Sequence, residues 1–420
     1  MSHLIRYLTR ISRETFSSLY IRNYRLYYIG QIISTTGTFM QNVAQAWLVL
    51  KLTNSGTALG ITTALQYLPI LFLGPFGGVV ADRISKRKIL FLTQTAAGIL
   101  ALVLGILVAT NLVRVWMVYV LSFLLGIVTV FDSPTRQTFY FELVGEDNLR
   151  NAITLFSTLF NLARIIGPAL AAALIASVGM ASCFILNGLS YTAVIIMLAM
   201  MNTEELHITP PAPRAKGQLR EGLKYVLSTP MLITTLLVMG IIGAFTFEFT
   251  VSLPLIAQFT YKGDASSFAF LTSALGVGAA AGGILFARRK GITSFQLIIA
   301  AFLFGATTLA AALMPNLWLC GLVLVAVGLA SINFSSLGNS ILQLESSPQM
   351  RGRVMSFWSV VWVGSTAFGG PTVGWFAQMA GGRWGLGFSG AAGVVAAILG
   401  AITLRSMAAG RRAPVEEKSV

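Results

Sequence analysis

The sequence predicts an all-α membrane protein of twelve transmembrane helices, arranged as two six-helix pseudo-repeats. Three observations predict it. Of 420 residues, 55% are hydrophobic and only 10% are charged, against roughly 25% charged in a soluble domain. The apolar residues gather in twelve runs, at about 26–50, 56–81, 89–111, 115–136, 150–178, 181–201, 231–260, 266–287, 292–314, 317–343, 353–379 and 384–408. A spanning helix needs about 20 such residues. Finally, the loops between the runs alternate between rich and poor in Lys and Arg.

That alternation fixes the count and the orientation. Every second loop, taken with both tails, holds 24 of the 29 Lys and Arg residues. They include Arg6, Arg22 and Arg25 in the N-terminal tail, the cluster Arg83, Lys86, Arg87, Lys88, then Arg136 and Arg150, Arg288–Lys290, and Arg351 with Arg353. The other loops hold Lys51, Arg114, Lys262 and Arg383, and Arg164 alone lies inside a run. Dropping one helix would scramble the pattern. The positive-inside rule then places both termini in the cytoplasm of a multi-pass protein of the cell inner (plasma) membrane. The net charge of +15 is therefore a topology signal. The basic residues form no face or aromatic-interleaved patch of the kind that binds nucleic acid.

The one long polar interruption, 202–230, contains Pro210, Pro211 and Pro213. It divides the chain into an N-terminal six-helix half (1–201), a cytoplasmic linker (202–230) and a C-terminal half (231–420) with a short cytoplasmic tail. Late in the linker, Leu219, Leu223, Val226 and Leu227 share one helical face, as in a helix lying in the membrane interface. The halves repeat each other. Glu142, Arg150, Gly167 and Pro168 recur 203 positions later as Glu345, Arg353, Gly370 and Pro371, and Gly77-Gly78 has a counterpart in Gly282-Gly283. Parallel six-helix repeats are a transporter architecture with its site between the halves.

Enzyme chemistry finds no support. Cys183 and Cys320 have no metal or disulfide spacing, and His3 and His207 both fall in predicted cytoplasmic segments. There is no phosphate loop, no zinc motif and no nucleophile–base arrangement. No cofactor or metal is expected. The first 25 residues are polar and basic, without the pattern of a cleavable signal peptide.

The charges and amides inside the runs are the candidate site. Arg164 lies midway along the fifth helix, with Ser157, Asn161 and Pro168 on its face; a guanidinium there must face the bundle interior or a wet cavity. It has the donors to hold an anionic or carbonyl-rich substrate, or to brace the half structurally. Glu248 lies deep in the seventh helix, where desolvation suits a carboxyl to carry a proton, unless it faces a hydrated vestibule. Asp132, near the end of helix four, is the second proton candidate, or else caps or bends that helix before Pro134. Helix one carries Gln31, Ser34, Thr35, Thr38, Gln41, Asn42 and Gln45 in one broad stripe, too polar for lipid. The stripe is expected to line a cavity, with some members bonding to neighbouring helices. Asn333, Ser336, Ser340 and Gln343 form a similar face on helix ten. Trp358 and Trp362, one turn apart, are read first as interfacial anchors and second as an aromatic platform for substrate.

The segment Gly78-Val79-Val80-Ala81-Asp82-Arg83-Ile84-Ser85-Lys86-Arg87-Lys88 resembles the signature loop of the major facilitator superfamily, with Ser85 where the family usually has Gly. Gly283 to Arg288 is a degenerate copy, with Ala287 in place of the Asp. Arg22-Asn23-Tyr24-Arg25, Trp47, Pro69, Asp132 to Gln137 and Ala163 to Pro168 narrow the resemblance to the enterobactin exporter-like and macrolide-efflux-like permeases. It covers nearly the whole chain. It implies proton-driven efflux of a small organic molecule by alternating access. It further implies a gate in which Asp82, with Gly78, Arg83 and Arg87, clasps the start of helix eleven near Arg351–Val354, and which Arg136 could join. Gly167-Pro168 resembles part of the family's antiporter motif, followed by Ala171-Ala172 instead of Gly-Gly. The expected partners are a small amphipathic or aromatic substrate, the proton and the bilayer, in a monomer. An importer, a lipid flippase or a transport-inactive receptor on the same fold are the alternatives.

Overall fold

The structure is a computed structural model that describes residues 16–208, 218–286, 292–347 and 349–410. The Arg288–Lys290 loop, the prolines at 210, 211 and 213, His3 and the C-terminal tail lie outside the described residues. So do the side chains of Asp82 and Leu219.

The chain runs helix after helix: α1 Arg22–Thr53, α2 Gly56–Arg83 and α3 Lys86–Ala109. The next helix, Val115–Ser177, is 63 residues long and doubles back at Gly145 (φ 69°), giving α4 (115–144) and α5 (146–177). Then follow α6 Met180–Ala199, α7 Gln218–Ser228, α8 Pro230–Thr260, α9 Ala265–Phe286, α10 Ser294–Leu313 and α11 Leu317–Glu345. The chain ends with α12, from Arg351 to Ala380, and α13 Gly382–Gly410.

Among the described residues nine helices are long and apolar enough to cross a membrane, one of them the doubled α4–α5. Two more spans complete twelve. The polar stripe keeps α1 below the hydropathy threshold, and π-helical residues Val360–Gly364 cut α12 into two shorter pieces. Helix five begins at 146, earlier than the apolar run suggests, because its first turns are polar. Gly145 is needed at the bend: its φ is positive, and the His207 ring lies 3.3 Å from where a Cβ would stand. Here the start of the linker returns to the first half, with His207 N–H donating to the Glu142 carbonyl (2.9 Å).

The linker's end belongs to the second half. In α7, Val226 and Gly222 face inward, Gly222 against Arg353 and Phe357, while Leu223 (46%) and Leu227 (59%) point outward. Glu221 pairs with Arg353 (2.7 Å), and the Tyr225 hydroxyl accepts the Ser347 N–H (3.1 Å). Leu223 and Leu227 thus form an exposed apolar edge, while Val226, expected on the same face, is buried.

One stripe of α2 shows how the halves meet. Gly56 and Gly60 lie against the backbone of Gly374 and Gly370 on α12, and Leu71 lies against Gly364. Farther along the same stripe, Gly74 and Gly78 have nothing within 4 Å of a Cβ position. Likewise α5 meets α9 at Arg164 and Ile165 against Gly276, with Ser273 Oγ donating to the Ile165 carbonyl (3.1 Å). Toward the basic-loop end Gly283 of α9 again faces open space. The bundle is thus sealed at the end away from the basic loops and splayed at the end that carries them. Two amides fasten the sealed end: Gln378 Oε1 accepts the Gly56 N–H (2.6 Å), capping α2 from the opposite half, and Gln258 Nε2 donates to Asn54 Oδ1 (2.9 Å).

Candidate functional site

The site is built where helices break. In α8, π-helical residues Ile242–Thr246 end at Phe247, and Glu248 (φ −80°, ψ 46°) opens a new helical segment. In α12 the π-helical turn Val360–Gly364 precedes Ser365 and Thr366. The two interruptions lie side by side: Gly243 meets the Trp362 carbonyl and the Ser365 hydroxyl. Such interruptions recur at functional sites because they free backbone groups and re-aim side chains.

Glu248 sits at this junction, 2% exposed. The Thr366 hydroxyl is its side-chain partner, and its Oε1 has none. Tyr67, on the α2 stripe between Gly60 and Leu71, is its electrostatic neighbour from the other half. The carboxyl is therefore dry and placed between halves; no hydrated vestibule surrounds it. A buried carboxyl with an unmet oxygen strongly favours whichever protonation state its surroundings can satisfy.

Beside it, Trp362 packs on Phe247 (ring centroids 5.1 Å apart) and Phe334 (6.1 Å), and Phe249 and Phe304 continue the cluster. The anchor reading of the tryptophans is thus corrected. Both face inward, and the indole nitrogen of Trp358 is buried without a partner. Asn333 lies half-buried on α11, next to Phe334.

The first half carries a second buried network. Asp132 Oδ1 accepts bonds from Thr93 (2.9 Å) and Gln94 (2.8 Å), while Oδ2 accepts from Arg136 Nε (3.1 Å) and a second guanidinium nitrogen. Arg136 also donates to Gln31 Oε1 (2.6 Å). Asp132 therefore neither caps nor bends α4, and Arg136, expected among the loop charges, is committed to α1 and to its own helix. Tyr27 and Tyr140 hydroxyls, buried nearby, lack partners. Asp132→Asn strands the Arg136 charge; removing one partner of a buried pair costs about 3 kcal/mol. A lowered Tm of the purified variant checks this, and an unchanged Tm would mean that Arg136 finds another counter-charge.

The α1 stripe divides in two. Gln41 Oε1 accepts from Asn187 (2.6 Å), and Gln45 donates to Ser122 (3.0 Å), so both join helices within the first half. Asn42 is exposed. On α5, Asn161 bonds back to the Ser157 carbonyl (2.9 Å), and Arg164 is half-buried.

At the signature segment, Gly78 lies within α2, and only Ile84 and Ser85 separate α2 from α3. Arg83 is exposed. Arg87 donates to the Leu198 (2.8 Å) and Ala199 (3.3 Å) carbonyls, capping the C-terminus of α6, where a cation complements the dipole. Lys86 pairs with Glu142 (2.6 Å). Across the gap, Arg351 donates to the Gln343 carbonyl (3.0 Å).

Sequence reasoning missed Thr366, Tyr67, Gln378 and the partners of Asp132. Gly243 and Gly364, which lie in the two π-helical turns, could have signalled the breaks; nothing in the sequence pairs Gln378 with Gly56.

The comparisons agree with this architecture. The transmembrane secretion effector family profile matches residues 13–417. Among curated proteins, the enterobactin exporter of Escherichia coli is 26% identical, over 85% of each chain. Macrolide efflux protein A of Streptococcus pyogenes is 23% identical, over 82% of this chain and 86% of its own. An uncharacterized MFS-type transporter of Bacillus subtilis is 25% identical, over 82% and 85%. Among solved structures, an inward-facing bacterial homologue of the human lysosomal transporter Spinster superposes with a TM-score of 0.70 at 15% identity, covering 94% of this chain and 99% of that one. A mutant form of the nucleoside transporter NupG gives 0.71 at 12%, covering 91% and 99%. The profile, the relatives and the twelve-helix bundle together identify the chain as a member of the transmembrane secretion effector family, a non-enzymatic multi-pass membrane transporter of the major facilitator superfamily.

Proposed function

We propose that the protein exports a small amphipathic or aromatic organic molecule from the cytoplasm by alternating access, driven by the proton gradient. The observation that carries this reading is Glu248, a buried carboxyl at the break of α8, between two halves that part at one end only. In this reading the halves 1–201 and 231–420 are the moving bodies. The basic loops lie in the cytoplasm, so the splayed end is the inward-open, loading state. Loading or releasing a proton at Glu248 changes the relative stability of the two states, since a ligand shifts an equilibrium only by its differential affinity. The exporters of enterobactin and of macrolides support the direction and the size class. Gly78, Asp82 and Arg83 belong to the α2 end at the mouth and are assigned to the gate of the opposite state; Arg87 and Arg136 hold helices of the first half for it.

Proteoliposomes with an imposed pH gradient test the whole reading. Some member of a panel of aromatic and amphipathic metabolites is expected to move uphill, and to lose that movement when a protonophore is added. Flux indifferent to the gradient for every member sinks the coupling. A companion measurement tests orientation: an impermeant maleimide added outside cells should label cysteines placed near Lys51, Lys262 and Arg383, and none placed in the 202–230 linker. Labelling of the linker reverses the assignment.

A further inference from the structure

Among the described residues Arg164 has no counter-charge. Its guanidinium makes no hydrogen bond or ion pair with any described residue. The acidic groups that might neutralise it are committed elsewhere. Asp132 is bound to Arg136, Thr93 and Gln94, Glu142 to Lys86, Glu221 to Arg353, and Glu248 to Thr366. Glu146 and Asp147 begin the same helix, about 25 Å away along its axis at 1.5 Å per residue.

The helix face settles what Arg164 looks at. Leu162 (52%) and Ile166 (47%) mark the lipid side, and Arg164 projects about 200° from each at 100° per residue. On its own side Ile153 (50%) and Phe160 (43%) are exposed, and they lead from the splayed end of the bundle up to Arg164. Beyond Arg164 the passage stops, where α5 meets Gly276 and Ser273 of α9. Arg164 therefore stands where the exposed face of α5 ends against α9. Phe160 packs edge-on against Phe39 of α1 (5.0 Å), and Asn42, exposed, lies one turn further along α1.

A guanidinium keeps its charge at any physiological pH. An unpaired one at membrane depth is costly, and this one is half-buried on the helix face that exposes Ile153 and Phe160. We infer that Arg164 is the head-group seat for an organic anion, an amphipathic or aromatic carboxylate whose apolar body rests on Phe39 and Phe160. This inference rests on the transport reading above and gives its substrate a charge. The forked donors bind a carboxylate in two-point fashion, and among the described residues no carboxylate pairs with Arg164 to compete. An ammonium-bearing substrate would face an unbalanced positive charge, and a neutral one would leave Arg164 unpaired.

Three probes with one body decide it: 2-naphthoate, 2-naphthamide and 2-naphthylmethylammonium, titrated calorimetrically into the purified full chain. Naphthoate is expected to bind at least about tenfold tighter than the amide, as one charge-assisted contact implies, with the ammonium weakest. Arg164→Gln should equalise acid and amide, and Arg164→Lys should keep part of the preference. The inference is overturned if naphthoate does not bind, if the amide or ammonium matches it, or if Arg164→Gln keeps the tenfold gap. Should the Gln variant not fold, competition among the three probes on the unaltered protein decides the same point. Flux of the probes in proteoliposomes separates the two readings. Naphthoate bound selectively but never moved upholds the seat and counts against transport of this class. Ammonium moved while naphthoate is ignored removes the seat and leaves transport standing.

Discussion

Replacing Glu248 by Gln is expected to bring pH-driven uphill transport down to background while substrate binding survives. The amide has the shape of the protonated acid and can still bond to Thr366, so the break in α8 should keep its form. What it cannot do is release a proton. A carrier frozen in the proton-loaded condition loses its link to the gradient but can still exchange substrate for substrate across the membrane. The measurement is therefore a pair: uphill flux under an imposed pH gradient, and equilibrium counterflow without one. Loss of the first with retention of the second is the expected result. Should the variant still concentrate substrate, the proton passes elsewhere and Asp132, with its Arg136 partner, becomes the site to examine.

A comparably large effect is expected from Gly60→Leu. A Cβ at Gly60 would stand 2.7 Å from the Pro371 Cα and closer still to the Gly370 carbonyl. Both are backbone atoms of α12, so no rotamer change relieves the clash. Overpacking of this kind costs about 3 kcal/mol, a roughly hundredfold change in the ratio of states. The sealed end should stand open, and cycling should stop. A cysteine at Thr63 is the reporter, because Thr63 is buried and lies against Gly370 of α12 at the same junction. Cys183 and Cys320 are buried elsewhere, so the thiol that opening uncovers is this one. Faster labelling of that cysteine from outside, with transport lost, is the expected pattern. Unchanged labelling would mean that α2 and α12 separate by a route that the glycines do not control.

The spans and their order were legible because hydropathy and loop charge are properties of composition, and each loop carried its own signal. Two helices depart from ideal behaviour inside runs, 26–50 and 353–379, that were themselves visible. The polar residues of α1 were read as one stripe, but their bonds to other helices were not legible, as Gln41 to Asn187 and Gln45 to Ser122. In α12 the π-helical turn leaves composition untouched. Of the site, the buried charges were visible at once, since a charge inside an apolar run is conspicuous. Their partners were not: Thr366 lies 118 positions from Glu248, and only the packing of two broken helices brings them together. Trp362 misled for the same reason. A tryptophan near the end of an apolar run is equally compatible with the membrane surface and with the interior, and the deciding neighbours, Phe247 and Phe334, lie on other helices.

The linker also sets a mechanical limit on the cycle. Its beginning is tied to the first half, through His207 to Glu142 and Asn202 to Asn23. Its end is tied to the second, through Glu221 to Arg353 and Tyr225 to Ser347. The chain from 208 to 218 joins the two sets of ties, and at no more than about 3.5 Å per residue it can reach at most roughly 35 Å. That length is an upper bound on how far the two sets of ties can move apart in any cycle. Shortening it residue by residue would therefore restrict the splayed end of the bundle before it disturbed the sealed interface at the other end.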